Sequence, residues 1–378
     1  MKGILRFLTK QFFITTNLLV SIPMLLLYAL PYSNQQYFWM LNLFALLFPY
    51  LCLVQVAFLL FWLLAKPRLS LIPLATLVVC YPLMRNVVGL HTPEKQIPAA
   101  AGSFRVATWN VHLFDFYENR GNLDPQMLQK ARELSADILC IQELVFSTDS
   151  TSNMSLDQVR KRLGFNYVVA GNDRAFGVHT NINTQNEKYF PFCVAILSKH
   201  PIVRWQKVQS LPEYNHTFLW ADIALGNDTL RVFNVHLQSM HFVKKDYDFI
   251  ENIDRQEMEE VKRQGRNIIR KIKAANLLRA QQIDDVRNEV LKSPYPVILT
   301  GDFNDVPNSY AYQTMRRHLQ DVFVQKGWGL GRTFQLLAPT LRIDYIFHAP
   351  ELQLQQFRMY NWGESDHKPL VAVFARPQ

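Results

Sequence analysis

Apolar and polar positions alternate with two different rhythms along the chain. Apolar side chains run almost without a break from Phe12 to Leu30, from Tyr37 to Ala65 and from Leu69 to Val88. A helix needs about 20 apolar residues to cross about 30 Å of hydrocarbon, and none of the three stretches holds an acidic side chain. Residues 1–90 are therefore predicted to form a membrane anchor of three transmembrane helices. Pro23, Pro49, Pro73 and Pro82 interrupt these stretches, which a membrane helix tolerates when its neighbours satisfy the freed carbonyls. The second stretch exceeds the membrane thickness and is expected to tilt. His91 to Ser103, rich in Pro and Ala, reads as a linker.

From residue 104 to 378 the rhythm changes to short apolar runs separated by polar segments. FRVATWNVHLF, DILCIQEL, FCVAILSK, LRVFNVHLQ, YPVILTGDFND, RIDYIFH and KPLVAVFA each predict a buried strand. Ser239 to Lys292 has a helical pattern and a basic face that includes Arg255, Lys262, Arg263, Arg266, Arg270, Lys271 and Lys273. Gly265 is a candidate break within it. Phe146 to Asn186 predicts polar loops.

Charge alters this picture less than its total suggests. Of the net +9, the first hundred residues supply +6, through seven basic side chains against Glu94. The basic pI of about 9.3 thus reports mainly on the anchor and does not argue for DNA binding. Lys2, Arg6, Lys10, Lys66 and Arg68 flank the spans. Basic flanks stay cytoplasmic, so the N-terminus is expected inside and the C-terminal domain on the extracytoplasmic side. The four cysteines sit in apolar runs and form no metal cluster; a disulfide between Cys140 and Cys193 would require neighbouring strands.

Polar side chains recur where the predicted strands stop: Asn110, Glu143, His236, Asp302 with Asn304, Asp344, and Asp366 with His367. Each alone suits a turn or cap. Together they offer carboxylate, amide and imidazole groups without thiols, a donor set that favours Mg²⁺, Mn²⁺ or Ca²⁺ over structural zinc.

In the same order, TWNV, IQE, NVHL, GDFND, RIDYIF and SDHKP resemble the motif series of the endonuclease/exonuclease/phosphatase superfamily, over roughly residues 104–376. The resemblance implies a four-layer α/β sandwich, two packed mixed β-sheets flanked by helices and here preceded by the three transmembrane helices. It also implies an Mg²⁺-dependent hydrolase of phosphoric esters, with Mn²⁺ or Ca²⁺ as alternatives. Glu143 is then expected to hold the metal with Asp366 and Asn110 close by. Asp302 would orient or deprotonate the attacking water, Asn304 would position water and phosphate, and His236 and His367 would contact phosphoryl oxygens. Asp344 would fix the tautomer of His367. Substrates left open are nucleic acid, as for an endonuclease, and a phospholipid headgroup, as for a sphingomyelinase- or phospholipase C-like enzyme. A catalytically silent, membrane-tethered binding module is the alternative from another class. Besides substrate, the bilayer is the expected partner; no protein partner is inferred.

Overall fold

A computed structural model describes residues 2–92, 102–119, 121–172, 192–208, 218–253 and 257–375. The apolar third forms α1 (Lys2–Leu26), a 3₁₀ segment over Leu27–Tyr32, the single turn α2 (Gln35–Phe38), α3 (Leu41–Ala65), α4 (Leu71–Val79) and α5 (Tyr81–Val87). Two of its helical stretches, Ile4–Tyr32 and Leu41–Ala65, are long and apolar enough to cross a membrane. A third crossing follows if Pro67–Val79 and Tyr81–Val87, bent by 57°, count as one span. Pro82 starts α5 at that bend, while Pro23 and Pro49 lie inside helices that continue. The second stretch sheds its excess length by breaking before Leu41, leaving α2 as a separate turn. A buried polar cluster ties the bundle together, with Asn17 Nδ2 donating to Gln55 Oε1 (2.8 Å), Gln55 Nε2 to Ser21 Oγ (2.8 Å) and Thr76 Oγ1 to Ser21 Oγ (3.0 Å). Such bonds between helices stabilise association where no hydrophobic drive exists between them.

The remaining elements begin with β1 (Gly89–Leu90), β2 (Ser103–Asn110), α6 (Pro125–Glu133), β3 (Ile138–Val145), α7 (Leu156–Leu163), β4 (Tyr167–Asn172), β5 (Phe192–Ser198), β6 (Ile202–Val208), β7 (Phe218–Leu225) and β8 (Asp228–His236). They continue with α8 (Lys244–Glu251), α9 (Met258–Leu291), β9 (Val297–Asp302), α10 (Tyr310–Arg316), β10 (Gln320–Asp321), α11 (Val322–Lys326), β11 (Trp328–Gly329), β12 (Asp344–His348), β13 (Leu354–Met359) and β14 (Leu370–Ala375). Two mixed six-stranded sheets result, ordered β13-β14-β2-β3-β5-β4 and β10-β12-β9-β8-β7-β6. Their facing sides bury Val106, Ile138, Cys140 and Ile196 with Ala221, Val232, Ile298 and Ile346. The outer side of the first sheet packs on α6 and α7 through Met127, Leu128 and Val159; that of the second packs on α9 and α10 through Ile283, Val286 and Met315. These are the four layers expected.

Cys140 and Cys193 do lie on neighbouring strands, but the register pairs Cys140 with Ile196 and Cys193 with Leu144. One side chain enters the core between the sheets and the other the core beneath α6 and α7, and no disulfide joins them. Gly265 breaks nothing, because α9 runs through it for 34 residues.

The anchor is docked onto the C-terminal fold rather than loosely tethered to it. Met24, Leu27, Leu30, Ala45, Phe48, Leu83 and Val87 share one apolar core with the outer face of the second sheet and α10. Asn42 Oδ1 accepts from the Tyr310 amide (2.8 Å), Asn308 Nδ2 donates to the Leu83 carbonyl (3.0 Å), and Arg342 Nη2 donates to the Asn86 carbonyl (2.7 Å). β1 pairs with β11. Most of the expected linker, residues 93–101, lies outside the described residues.

Candidate active site

Parallel pairing brings the C-terminal ends of β2 and β3 together, and does the same for β8 and β9, with His236 opposite Asp302. Antiparallel pairing then sets Asp344, the first residue of β12, opposite Asp302 as well. Both sheets thus deliver polar side chains to one edge of the sandwich. Asn110 bridges them: its Nδ2 lies 3.1 Å from Glu143 Oε1 on its own sheet and 3.1 Å from Asp302 Oδ2 on the other. His236 Nε2 is 3.7 Å from both Glu143 Oε1 and Asp302 Oδ2. His367 Nε2 is 3.8 Å from Asp302 Oδ2, and its Nδ1 is 2.9 Å from Asp344 Oδ2.

Electrostatics separates the roles these groups can play. Burial, reinforced by the neighbouring Asp344 charge, pushes the Asp302 carboxyl up to about 7. Burial opposes the charge on His367, but Asp344 and Asp302 more than offset it and hold the imidazole up at about 10. A carboxylate poised near neutrality therefore stands beside an imidazole that stays cationic well above neutrality. Burial also raises Glu143, against which the Asn110 bond and the His367 charge pull; Asp366 adds to the rise.

The backbone is bent to present these groups. Glu143 (φ 58°) and Asn304 (φ 50°) are left-handed, and β3 shifts register against β5 between Ile141 and Leu144. Gly301 has φ 132°, and a Cβ there would lie 2.0 Å from the Val235 carbonyl oxygen, so only glycine lets β9 approach β8 just before Asp302. Asn304 is held on both sides, its amide N–H donating to Asp302 Oδ1 (2.7 Å) and its Nδ2 to the Leu237 carbonyl (2.9 Å).

Six of the eight expected residues, Asn110, Glu143, His236, Asp302, Asp344 and His367, form a continuous polar cluster. Asn304 borders it through the Asp302 carboxylate. Asp366 is held from behind, since its carbonyl accepts from the Gln335 amide (2.7 Å); its carboxylate reaches the cluster through its field on Glu143. His112 is half exposed and 3.6 Å from Asp115. Asp305, next to Asn304, is buried with Arg279 Nε 3.3 Å away.

The structure adds supporting residues that the strand-end pattern passed over. Ser365 Oγ donates to the Asn110 carbonyl (2.9 Å) and accepts from the His367 amide (3.1 Å). Thr333 Oγ1 accepts from the Ile343 and Asp344 amides. Phe334 rests against the His367 ring, centroids 5.0 Å apart. Between the sheets, Gln142 Nε2 donates to Asn234 Oδ1 (2.6 Å) while Asn234 Nδ2 donates to the Ile141 and Ala195 carbonyls. The signal for that pair was a polar side chain inside an otherwise apolar run, because a buried amide must find a partner.

Two sets of side chains could hold a cation. Asp302, Asp344 and His367 present ligand atoms within 4.8 Å of one another, but there the imidazolium of His367 already supplies the positive charge between the carboxylates. Glu143, by contrast, is 21% exposed at the mouth, has the neutral Asn110 amide on one oxygen, and has Asp366 close enough to disfavour its ionisation. The carboxylates of Glu143 and Asp366 suit a hard divalent cation, whereas Asn110 turns its Nδ2 to Glu143 and its Oδ1 accepts from the His112 amide (3.1 Å).

Family models give two matches. The endonuclease/exonuclease/phosphatase family model matches residues 107–367, and a domain of unknown function (DUF8431) matches residues 10–87. No curated protein matches the chain. Among solved structures, the endonuclease/exonuclease/phosphatase from Beutenbergia cavernae is similar at 17% identity, with 72% of each chain covered and a TM-score of 0.51. The endonuclease/exonuclease/phosphatase from Bacteroides vulgatus is similar at 16% identity, covering 72% of this chain and 98% of its own, with a TM-score of 0.50. These identities carry the fold alone.

Proposed function

The chain belongs to the endonuclease/exonuclease/phosphatase family, whose members act on phosphoester bonds, and from that premise we propose that it is a divalent-metal-dependent phosphodiesterase fixed to a membrane. The observation that carries this reading is one buried cluster in which Asp302 Oδ2 lies 3.8 Å from His367 Nε2, Asp344 holds His367 Nδ1 at 2.9 Å, and Asn110 links Asp302 to Glu143. Above neutral pH Asp302 can take the proton of an attacking water while His367 still donates to phosphoryl oxygens. His236, within 3.7 Å of Asp302 and Glu143, donates to the same anion. Asn110 holds the two carboxylates in register across the sheets, and Asn304 orients water and phosphate beside Asp302. A divalent cation held by Glu143, with Asp366 and Asn110 beside it, would supply Lewis-acid polarisation of the phosphoryl group. Mg²⁺ is the cation favoured, with Mn²⁺ and Ca²⁺ as alternatives.

Orientation follows from charge. The C-terminal fold touches the anchor at Leu27, Asn42, Leu83 and Asn86. Lys66 and Arg68 stand at the far end of α3, so basic flanks retained in the cytoplasm leave the catalytic fold outside.

The test is hydrolysis of bis(4-nitrophenyl) phosphate by the full chain in detergent, with Mg²⁺, Mn²⁺, Ca²⁺ or EDTA. Turnover with Mg²⁺, lost in EDTA and reduced about a thousandfold or more in Asp302→Asn and His367→Ala, is expected. An Asp302→Asn protein as active as the wild type would overturn the mechanism. A protein without turnover under any condition would favour the silent binding module.

A further inference from the structure

A cleft of about 270 Å³ opens beside the catalytic cluster, and its walls come from three distant parts of the chain. The start of α3 contributes Leu43 and Leu46, the arm over residues 239–276 contributes Phe242 and Ile272, and the segment before β12 contributes Phe334 and Leu337. Asn304 also lines the cleft, and Phe334 packs on His367, so cleft and catalytic cluster are continuous. On its polar side Arg279 faces Asp305 and donates to the Gln238 carbonyl (2.9 Å), with Ser239, His241, Tyr247 and Asn276 beside it. The apolar walls opposite offer contact to hydrocarbon.

Its position relative to the bilayer points the same way. Tyr32, Tyr37 and Phe38, just before α3, are 74%, 76% and 54% exposed, as aromatic side chains at a membrane–water boundary are. Leu43 and Leu46 then lie about 3 and 8 Å further along α3, at ~1.5 Å per residue. The apolar segment after Phe334 follows α3 as far as Tyr50, whose hydroxyl is 3.5 Å from Thr340 Oγ1. On the helix that supplies Ile272 to the cleft, Arg266, Arg270 and Lys273 are exposed and Lys273 sits over Trp39, cations suited to anionic headgroups.

We propose that this cleft receives the hydrocarbon portion of a membrane lipid phosphodiester, so that the substrate reaches Asp302 and His367 from the edge of the bilayer without leaving it. The proposal rests on the phosphodiesterase reading of the site and names its substrate class. The reaction adds one water across the P–O bond on the lipid side. Hydroxide joins phosphorus, the lipid oxygen leaves and takes the proton, and the products are a lipid alcohol and a phosphorylated headgroup. It consumes no other reactant.

The experiment uses the full chain in nanodiscs with Mg²⁺. Turnover of phosphatidylcholine and phosphatidylglycerol in the nanodisc bilayer itself is compared with that of the deacylated glycerophosphodiesters, a DNA oligonucleotide and bis(4-nitrophenyl) phosphate. The lipids should exceed their deacylated counterparts at least tenfold in kcat/KM. Leu46→Trp, which fills the cleft, should lower the ratio of lipid to bis(4-nitrophenyl) phosphate turnover at least tenfold, whereas Leu46→Ala should leave that ratio within threefold. Deacylated diesters or DNA turned over as well as lipid would overturn the proposal, as would an unchanged ratio in Leu46→Trp. If bis(4-nitrophenyl) phosphate is hydrolysed in an Asp302-dependent way but lipid has no advantage, the substrate class alone fails. If wild-type protein hydrolyses nothing, the phosphodiesterase reading falls and the lipid proposal with it.

Discussion

Replacing Asp344 with Asn tests the electrostatic core of the site directly. The change keeps the shape of the side chain but removes the carboxylate 2.9 Å from His367 Nδ1. The rise of His367 from its ordinary value near 6.5 to about 10 corresponds to about 5 kcal/mol of net preference for the imidazolium, at ~1.4 kcal/mol per tenfold. Asp344 is nearer than Asp302 and bonded as well, so its loss should carry His367 well down toward its ordinary value. The basic limb of the pH–rate profile should therefore move down from about 10. Asp302, released from the same neighbouring charge, should carry the acidic limb below 7, and kcat at pH 9 should fall about a hundredfold or more. Stability gives an independent reading in chelator. A raised imidazole stabilises the fold fully below its unfolded value of about 6.5 and loses that contribution as pH climbs through its folded value. Wild type should therefore exceed Asp344→Asn by an amount on the order of a few kcal/mol near neutral pH, and the gap should close toward pH 10. Denaturation curves that stay parallel from pH 6 to 10, with an unmoved basic limb, would refute the account.

Other expectations follow from single contacts. Gly301→Ala places a Cβ 2.0 Å from the Val235 carbonyl oxygen at φ 132°; a loss of about 3 kcal/mol or more in urea unfolding is expected, together with a collapse of kcat as Asp302 shifts. Asp321→Ala strips the buried Arg342 of its partner at 2.9 Å and removes the acceptor for the Tyr312 hydroxyl, so a loss of about 3–5 kcal/mol should appear in denaturant melts. Removing residues 1–92 uncovers the apolar face on α10 and the second sheet and frees Asn308 and Arg342 of their anchor partners. That fragment should aggregate without detergent and melt lower than the full chain; a monodisperse fragment of equal Tm would contradict the docked anchor.

The strands that bear the chemistry were legible because each is an apolar run buried on both faces and carrying a polar residue near one end. β2, β8 and β9 stop at Asn110, His236 and Asp302, whereas β3 runs two residues past Glu143 and β12 begins at Asp344. The edge strands β6 and β13 were not, since Arg204, Gln206, Gln356 and Arg358 replace the apolar pattern where only one neighbour pairs. Sequence also marked the basic 239–292 stretch as helical without showing what it packs on. Only the fold reveals that Ala275, Ile283 and Val286 bury one face of α9 while Ile272 reaches the cleft. The break in the second apolar stretch was equally hidden, because Trp39 and Met40 are as apolar as their neighbours and keep right-handed helical angles while their carbonyls accept from residues only three positions on, Asn42 and Leu43.

Residues bonded to the N-terminal helices lie within a few positions of the active-site carboxylates, which makes tethering more than a matter of address. Arg342 joins the Asn86 carbonyl to Asp321 and lies over the rings of Phe323 and Tyr345. It stands two residues before Asp344, whose backbone is fixed by Thr333. Asn308 and Tyr310, bonded to α5 and α3, follow closely on the GDFND turn that carries Asp302 and Asn304. Short, buried connections thus run from the helix bundle to the segments that carry both carboxylates flanking His367. The N-terminal helices accordingly belong to the packed scaffold around the site.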